Sequence, residues 1–214
     1  MQLENYYYYF PSVLTPKFCD ELIQYGKEKK ENIAYTGVFK RDLEKNPLSK
    51  KELIKLKKTR NSNVSWFDTN ENWIYKEILP YVEKANKLAD WNFEWDTSEN
   101  CQFTKYEKNQ YYHWHCDSFP VPYNQPENLN LHGKIRKLSV TCSLSNPSEY
   151  DGGELQFNFN HPTESKRKNI KKCTEILPRG SIVVFPSFVW HRVCPVKRGT
   201  RYSLVIWNLG KPFK

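Results

Sequence analysis

Long apolar runs are missing from this 214-residue sequence. Stretches such as Ile182–Phe185 and Leu204–Trp207 are four residues each, far short of the about 18 that a membrane span requires, so no transmembrane helix is expected. The first ten residues, MQLENYYYYF, have neither the basic start nor the long apolar segment of a secretory leader, and the chain is expected to stay in the cytoplasm. Cysteine pairs at metal or redox spacing are also absent. The six cysteines, at 19, 101, 116, 142, 173 and 194, show no Cys-x-x-Cys spacing, which argues against a zinc knuckle and a thioredoxin-like pair. They read as reduced thiols used as small hydrophobes. No internal repeat and no low-complexity linker breaks the chain, so a single domain over 1–214 is expected.

Aromatic residues are plentiful: 7 Trp, 14 Tyr and 12 Phe. They supply burial at low entropic cost, which excludes disorder despite a mean hydropathy of −0.80. A chain of this length buries roughly 70% of the surface its unfolded form exposes, enough for one ordinary core. The net charge is +9, and it is concentrated. From Lys40 to Arg60 nine basic residues face three acidic ones, and Lys166, Arg167, Lys168, Lys171 and Lys172 form a second run. Such runs are solvated faces or landing surfaces for an acidic partner, and charge alone does not choose between them.

Hydrophobic periodicity divides the chain. Thr15-Pro16 followed by Phe18, Leu22, Ile23 and Tyr25 gives a cap, a proline at the first helical position and a helical stripe, predicting a helix over about 16–30. Trp73, Ile74, Ile78, Leu79, Val82, Ala85 and Leu88 predict a longer helix ending near Trp91, with Pro80 inside it, and Ser49 to Lys58 predicts a short basic helix. After residue 92 the period falls to two. Strands are predicted at 101–107, 110–117, 136–145, 153–159, 173–178, 181–185, 189–195 and 200–208. The expected fold is mainly β with N-terminal helices: a jelly roll, or double-stranded β-helix, with helices packed on one sheet. The segments 118–135 and 160–172 become long loops at the ends of the barrel, where recognition is commonly carried.

The most informative string is Tyr112-His113-Trp114-His115-Cys116-Asp117. In a regular strand, residues two apart share a face, so His113, His115 and Asp117 would project together. A third metal ligand must come from elsewhere, and His191 lies on a late strand that a jelly roll brings beside the early ones. Two His and one carboxylate on one face leave open positions, the arrangement of non-haem Fe(II) oxygenases. The turn-rich segment CPVKRGT is expected to fold the chain back so that the strand from Thr200 runs antiparallel to that of His191. Arg201 would then lie beside His191 across the pair, suited to clamp the far carboxylate of a diacid that chelates the metal. The reading requires His191 within about 6 Å of Asp117, close enough to share an ion.

Six ordered blocks carry a resemblance. They are Gln102-Phe103-Thr104-Lys105-Tyr106; Tyr112-x-x-His115-x-Asp117; Arg136-Lys137-Leu138-Ser139-Val140-Thr141; Gly152-Gly153-Glu154-Leu155; Gly180-x-x-Val183-Val184-Phe185-Pro186; and His191-x-Val193-x-Pro195-Val196-x-x-Gly199-x-Arg201-Tyr202-Ser203-Leu204. Together they resemble the Fe(II)- and 2-oxoglutarate-dependent dioxygenases of the prolyl 4-hydroxylase type. The resemblance runs from about Phe93 to Gly210, with a weaker echo in the N-terminal helices and the segment TRNSNVSWF. It implies that His115, Asp117 and His191 hold Fe(II) and that Arg201 binds 2-oxoglutarate. Tyr106, Ser139 and Trp207 carry over as further cosubstrate contacts, with core packing as an equal competitor for each. Some relatives have Tyr where Ser143 stands, which leaves that end of the pocket open. Asn109, after Lys108, takes the place where many relatives have Gly in a turn.

The resemblance further implies oxidative decarboxylation of 2-oxoglutarate by O2 to succinate and CO2, with hydroxylation of an unactivated C–H bond, and ascorbate as a supporting reductant. No acid–base pair or nucleophile is called for. The substrate it points to is a prolyl residue in a peptide or protein, residues 1–92 then serving as helical support and substrate loop and 93–210 as the β core. Basic residues 40–60 would favour a chain with acidic flanks. Nucleic-acid demethylation within the same superfamily is the alternative, but no second arginine follows Arg201 on its strand. A jelly roll that binds without turnover is a further one. His113 could form a cupin-like His-x-His chelate, but the family pattern assigns His115 and Asp117 and leaves His113 at the mouth. His132 and His161 read as surface histidines. Neither a membrane nor nucleic acid is expected as a partner, and oligomeric state is not legible.

Overall fold

The computed structural model describes residues 5–34, 47–160 and 169–213. In chain order the elements are β1 (Tyr8–Phe10), α1 (Pro16–Glu28), β2 (Asn32–Ile33), α2 (Lys50–Thr59), β3 (Arg60–Asn61), β4 (Asn63–Phe67), α3 (Asn72–Leu88) and β5 (Thr97–Ser98). They continue with β6 (Cys101–Tyr106), β7 (Tyr111–His115), β8 (Ile135–Ser143), β9 (Tyr150–Gly152), β10 (Leu155–Asn158), β11 (Ile170–Lys172), β12 (Ile182–Pro186), β13 (Trp190–Val193), β14 (Val196–Gly199) and β15 (Arg201–Gly210). One sheet runs β1-β12-β8-β15-β6-β4-β2, with β5 paired to β15, and the other runs β11-β10-β13-β7-β3. All the pairings are antiparallel. Helices on one side and a second sheet on the other bear out the expected helix-backed jelly roll.

The helices α1 and α2 start at their predicted caps, whereas no side-chain hydrogen bond caps α3. Thr15 accepts from the Phe18 amide and Pro16 opens α1. Ser49 and Glu52 build a reciprocal capping box at α2, which satisfies two of the amides that a helix start leaves orphaned. Pro80 sits within α3. No helix among the described residues is long and apolar enough to cross a membrane. All six cysteines are free thiols, four of them buried.

The large sheet is buried on both faces, and alternation decides which residues go where. Leu138, Val140 and Cys142 of β8, Leu204 and Ile206 of β15, and Ile182 and Val184 of β12 pack with Leu22, Ile74, Ile78, Val82 and Ala85 of the helices. The intervening residues face the second sheet. Those of β12, Val183 and Phe185, join Leu155, Phe157 and Val189 in an apolar plug at one end of the sandwich. Those of β15 and β6, namely Arg201, Ser203, Val205, Trp207, Gln102 and Tyr106, line a pocket at the other.

Three expectations need correction. Residues 173–178 are not a strand: Cys173 and Ile176 are buried in the apolar plug at non-alternating spacing, and pairing is taken instead by Ile170–Lys172. The segment Tyr8–Phe10, unassigned from sequence, is an edge strand on β12. Most important, β15 does not pair with the strand of His191. Residues 196–199 form β14, which pairs with β9, and the chain crosses from one sheet to the other there. Gly199, at φ 72°, sits where a Cβ would lie 2.0 Å from the Glu149 carbonyl oxygen, so only glycine fits this crossing. Residues 40–46 of the first basic run, and His161 with residues 166–168, lie outside the described residues.

Candidate metal centre and its pocket

His115 ends β7 and stands directly opposite His191 of β13. Asp117 lies just past the strand, where its amide and that of Ser118 donate to the Ser187 carbonyl at 2.8 and 2.9 Å. The Nε2 atoms of His115 and His191 are each 3.6 Å from a different oxygen of Asp117, well inside the required 6 Å. The three ligand atoms lie within 4.8 Å of one another. A separation of 3.6 Å is too long for a hydrogen bond but matches two donors each about 2.1 Å from a shared cation.

Both imidazoles are oriented for such an ion. His115 Nδ1 is 2.8 Å from the His113 carbonyl and His191 Nδ1 is 3.0 Å from the Val189 carbonyl. A carbonyl at Nδ1 fixes the tautomer that leaves an Nε2 lone pair facing inward. Asp117 accepts from Ser139 Oγ at 2.7 Å, and Ser139 is 2.9 Å from Ser187 Oγ. Burial alone would raise the Asp117 carboxyl, but the imidazoles of His191 and His115 and the Arg136 guanidinium outweigh it and hold the group ionised. Burial, reinforced by His115, lowers His191 to about 4, so it is neutral at neutral pH. A neutral imidazole at His191 and an ionised carboxylate at Asp117 are the protonation states that metal ligation needs.

Neutral His191 has a stability consequence in chelator-treated protein. Its folded pKa of about 4 lies below its ordinary value of 6.5, so on acidification the unfolded chain takes up the proton first. Stability is expected to be highest above pH 6.5 and to fall towards pH 4, by up to about 3 kcal/mol. Urea midpoints measured across that range check this, and a flat profile contradicts it.

A β-bulge explains the fate of His113. His191 pairs with His115, but Val193, two residues on, pairs with Tyr112, three residues back. One extra residue in β7 therefore breaks the alternation. It brings Tyr112 onto the face of His115, stacked with ring centroids 3.4 Å apart. His113 is turned out and exposed, so the shared face expected of His113 and His115 does not exist.

The pocket in front of the three ligands is lined by residues from both sheets. Arg201, 2% exposed, stands in register with Tyr106 and its guanidinium carbon is 5.6 Å from that ring. It reaches the pocket from the sheet opposite His191, not from a neighbouring strand. Gly153 makes room for it: a Cβ there would come within 2.9 Å of Arg201 Cδ, at φ +64°. Trp207 lines the same pocket, with the Arg136 guanidinium 3.9 Å from its ring. Ser139 stands behind the pocket as the hydrogen-bond donor to Asp117, while Thr141, two residues on along β8, is on the wall. Replacing Ser139 by alanine should weaken divalent-metal binding about 10- to 100-fold while leaving the circular dichroism spectrum unchanged. Anaerobic metal titration measures the first, and an affinity equal to wild type contradicts the role given to Ser139.

Sequence reasoning did not single out Arg60, Gln102, Thr141 or Ser203, all of which line the pocket. Arg60 is 4% exposed, lies 4.4 Å over the Tyr112 ring and donates to Ser62 and Gln102. Its Nη2 and the Nε1 of Trp207 are buried donors without a partner. Both belong to residues of this one pocket. Buried donors are nearly always satisfied, so the pair points to acceptor atoms of a bound molecule. The signal for Arg60 was present in the sequence, as an arginine among polar residues in TRNSNVSWF.

The profile of the 2OG-Fe(II) oxygenase superfamily matches residues 101–208, which include all three ligand candidates and Arg201. The chain belongs to that superfamily. A PKHD-type hydroxylase of Xylella fastidiosa (strain M23) is 32% identical over 111 residues, spanning 50% of this chain and 42% of that protein. The PKHD-type hydroxylase YbiX of Escherichia coli O157:H7 is 36% identical over 106 residues, 49% of this chain and 40% of its own. The chain thus matches about two fifths of the length of these relatives. In three dimensions this superfamily member is similar to the viral collagen prolyl hydroxylase of Paramecium bursaria Chlorella virus-1, with TM-score 0.62, 20% identity and 97% of each chain covered. A Pseudomonas putida prolyl-4-hydroxylase aligns with TM-score 0.62, 18% identity, 96% of this chain and 93% of the other. At these identities the likeness bears on the fold.

Proposed function

We propose that this protein is an Fe(II)- and 2-oxoglutarate-dependent dioxygenase that hydroxylates a prolyl residue in a peptide or protein, with release of succinate and CO2. One observation carries the reading: two imidazoles and an ionised carboxylate converge at 3.6 Å spacing in a pocket that also holds a buried arginine. His115, Asp117 and His191 would hold the iron, whose chemistry when bound is activation of O2 at the expense of 2-oxoglutarate. Arg201 anchors the distal carboxylate of the cosubstrate, helped by Tyr106. Ser139 holds Asp117 in place, and Trp207 and Arg60 close the walls and offer donors to bound oxygen atoms. The six free thiols fit a reducing, cytoplasmic setting.

The test is succinate formation from 2-oxoglutarate with Fe(II), ascorbate and a panel of proline-containing peptides, with Asp117→Ala as control. Stimulation by a proline peptide and not by its alanine counterpart supports the reading; succinate formation that no peptide stimulates overturns the substrate assignment. The exposed lysines of α2 lead into Arg60 on the pocket wall, which favours a substrate with acidic flanks. Reversing Lys55, Lys57 and Lys58 to Glu should raise KM for such a peptide about 3- to 10-fold at low salt. An unchanged KM removes the basis for that preference.

A further inference from the structure

A second cavity, of about 620 Å³, opens beside the metal pocket. Trp66, Trp95, Tyr75 and Leu79 give it apolar surface, and the side chains of Asn72, Asn100, Asn128 and Asn130 give it carboxamides. Its floor includes Thr97 and Ser98, the two residues of β5. β5 pairs with β15 on one edge, and among the described residues no strand pairs with the other. A strand edge presents backbone donors and acceptors that an extended chain can satisfy. Carboxamides carry both donors and acceptors, like the peptide groups they would meet.

The cavity is a neighbour of the metal pocket, and no residue lines both. Trp66 on its wall lies 6.2 Å, ring to ring, from Trp207 of the metal pocket. Glu99, immediately after β5, is another wall residue. Its carboxylate accepts from Arg136 Nε at 2.7 Å and Nη2 at 2.5 Å, and from the Tyr123 hydroxyl at 2.9 Å. Arg136 in turn lies over Trp207 and its Nη1 is 3.5 Å from the Asp117 carbonyl oxygen. Tyr123 belongs to the 118–134 segment, which closes on itself through Tyr123 and Lys134 and is tied to Asp96 by Lys134 at 2.6 Å. The long loop and β5 therefore form one hydrogen-bonded cleft next to the pocket.

We propose that this cleft is the docking groove for an extended stretch of the polypeptide substrate flanking the oxidised residue, bound as an added strand along β5. The assignment rests on the peptide reading given above. It makes main-chain hydrogen bonds, with their period of two, the source of affinity outside the pocket.

The test uses the full chain with Fe(II) and 2-oxoglutarate, comparing a tripeptide centred on proline with a long peptide bearing both flanks. The long peptide should have the lower KM. Methylating its backbone nitrogens one at a time should raise KM about 3- to 10-fold at alternate positions of one flank, the cost of single lost hydrogen bonds. Asn72→Trp and Asn130→Trp, at exposed positions, should fill the cleft and bring KM for the long peptide up to that of the tripeptide. Peptide-independent 2-oxoglutarate turnover should stay at the wild-type rate, which also reports that the variants are folded. The methylation scan needs only wild-type protein. A scan without alternation, or folded variants that keep the wild-type KM, overturns the groove while leaving the dioxygenase reading intact. Failure of every peptide to stimulate turnover overturns the peptide reading itself and the groove with it.

Discussion

Replacing Asp117 by alanine should abolish peptide-dependent succinate formation and weaken Fe(II) binding by at least about 100-fold, because even the outer partners of metal ligands are worth about 10- to 100-fold. Asp117 supplies the only negative charge among the three converging ligands, and each of its oxygens faces one imidazole. Without it, the imidazoles of His115 and His191 bring no negative charge to offset that of a buried cation. The variant should stay folded. Asp117 contributes nothing to either apolar core, and removing a buried carboxylate removes its desolvation cost along with its interactions. Circular dichroism separates this outcome from unfolding, and a variant that keeps wild-type iron affinity would show that the carboxylate is not a ligand.

Removing the charge at Arg201 is the second large effect. The guanidinium is buried, 3.3 Å from Ser203 Oγ and 5.6 Å from the centre of the Tyr106 ring. Losing one partner of a buried charge pair costs about 2–5 kcal/mol, so Arg201→Gln should raise KM for 2-oxoglutarate by at least about 30-fold with Fe(II) affinity unchanged. Arg201→Lys should restore little of it, since an ammonium lacks the planar fork that holds a carboxylate through two parallel bonds. Steady-state kinetics at saturating iron measures both. Equal KM in wild type and Arg201→Gln would place the cosubstrate elsewhere.

The alternation of β6, β8 and β15 was legible because these strands are buried on both faces, apolar towards the helices and more polar towards the second sheet, while β12 is apolar on both. Helices α1 and α2 were legible through the capping hydrogen bonds of Thr15 and Ser49 and the fixed φ of Pro16, and α3 through its apolar period. The placement of Arg201 was legible only as a destination. Its approach was misread because CPVKRGT looks like a tight turn, whereas Val196–Gly199 pairs with β9 and carries the chain between sheets. His113 was misread for a related reason. Strict alternation is a property of regular strands, and the extra residue between Tyr112 and His115 has no local sequence signature. Arg60 escaped notice because nothing in TRNSNVSWF marks a break, yet β3 pairs in one sheet and β4 in the other. That division, at Ser62, leaves Arg60 on the pocket wall.

Anaerobic titration of Fe(II) into the wild-type protein and the His115→Ala, Asp117→Ala and His191→Ala variants tests the metal centre most directly. One tight equivalent in the wild type, lost in all three variants with their circular dichroism intact, is the expected result. Tight binding of one equivalent that survives any of the three substitutions would contradict it.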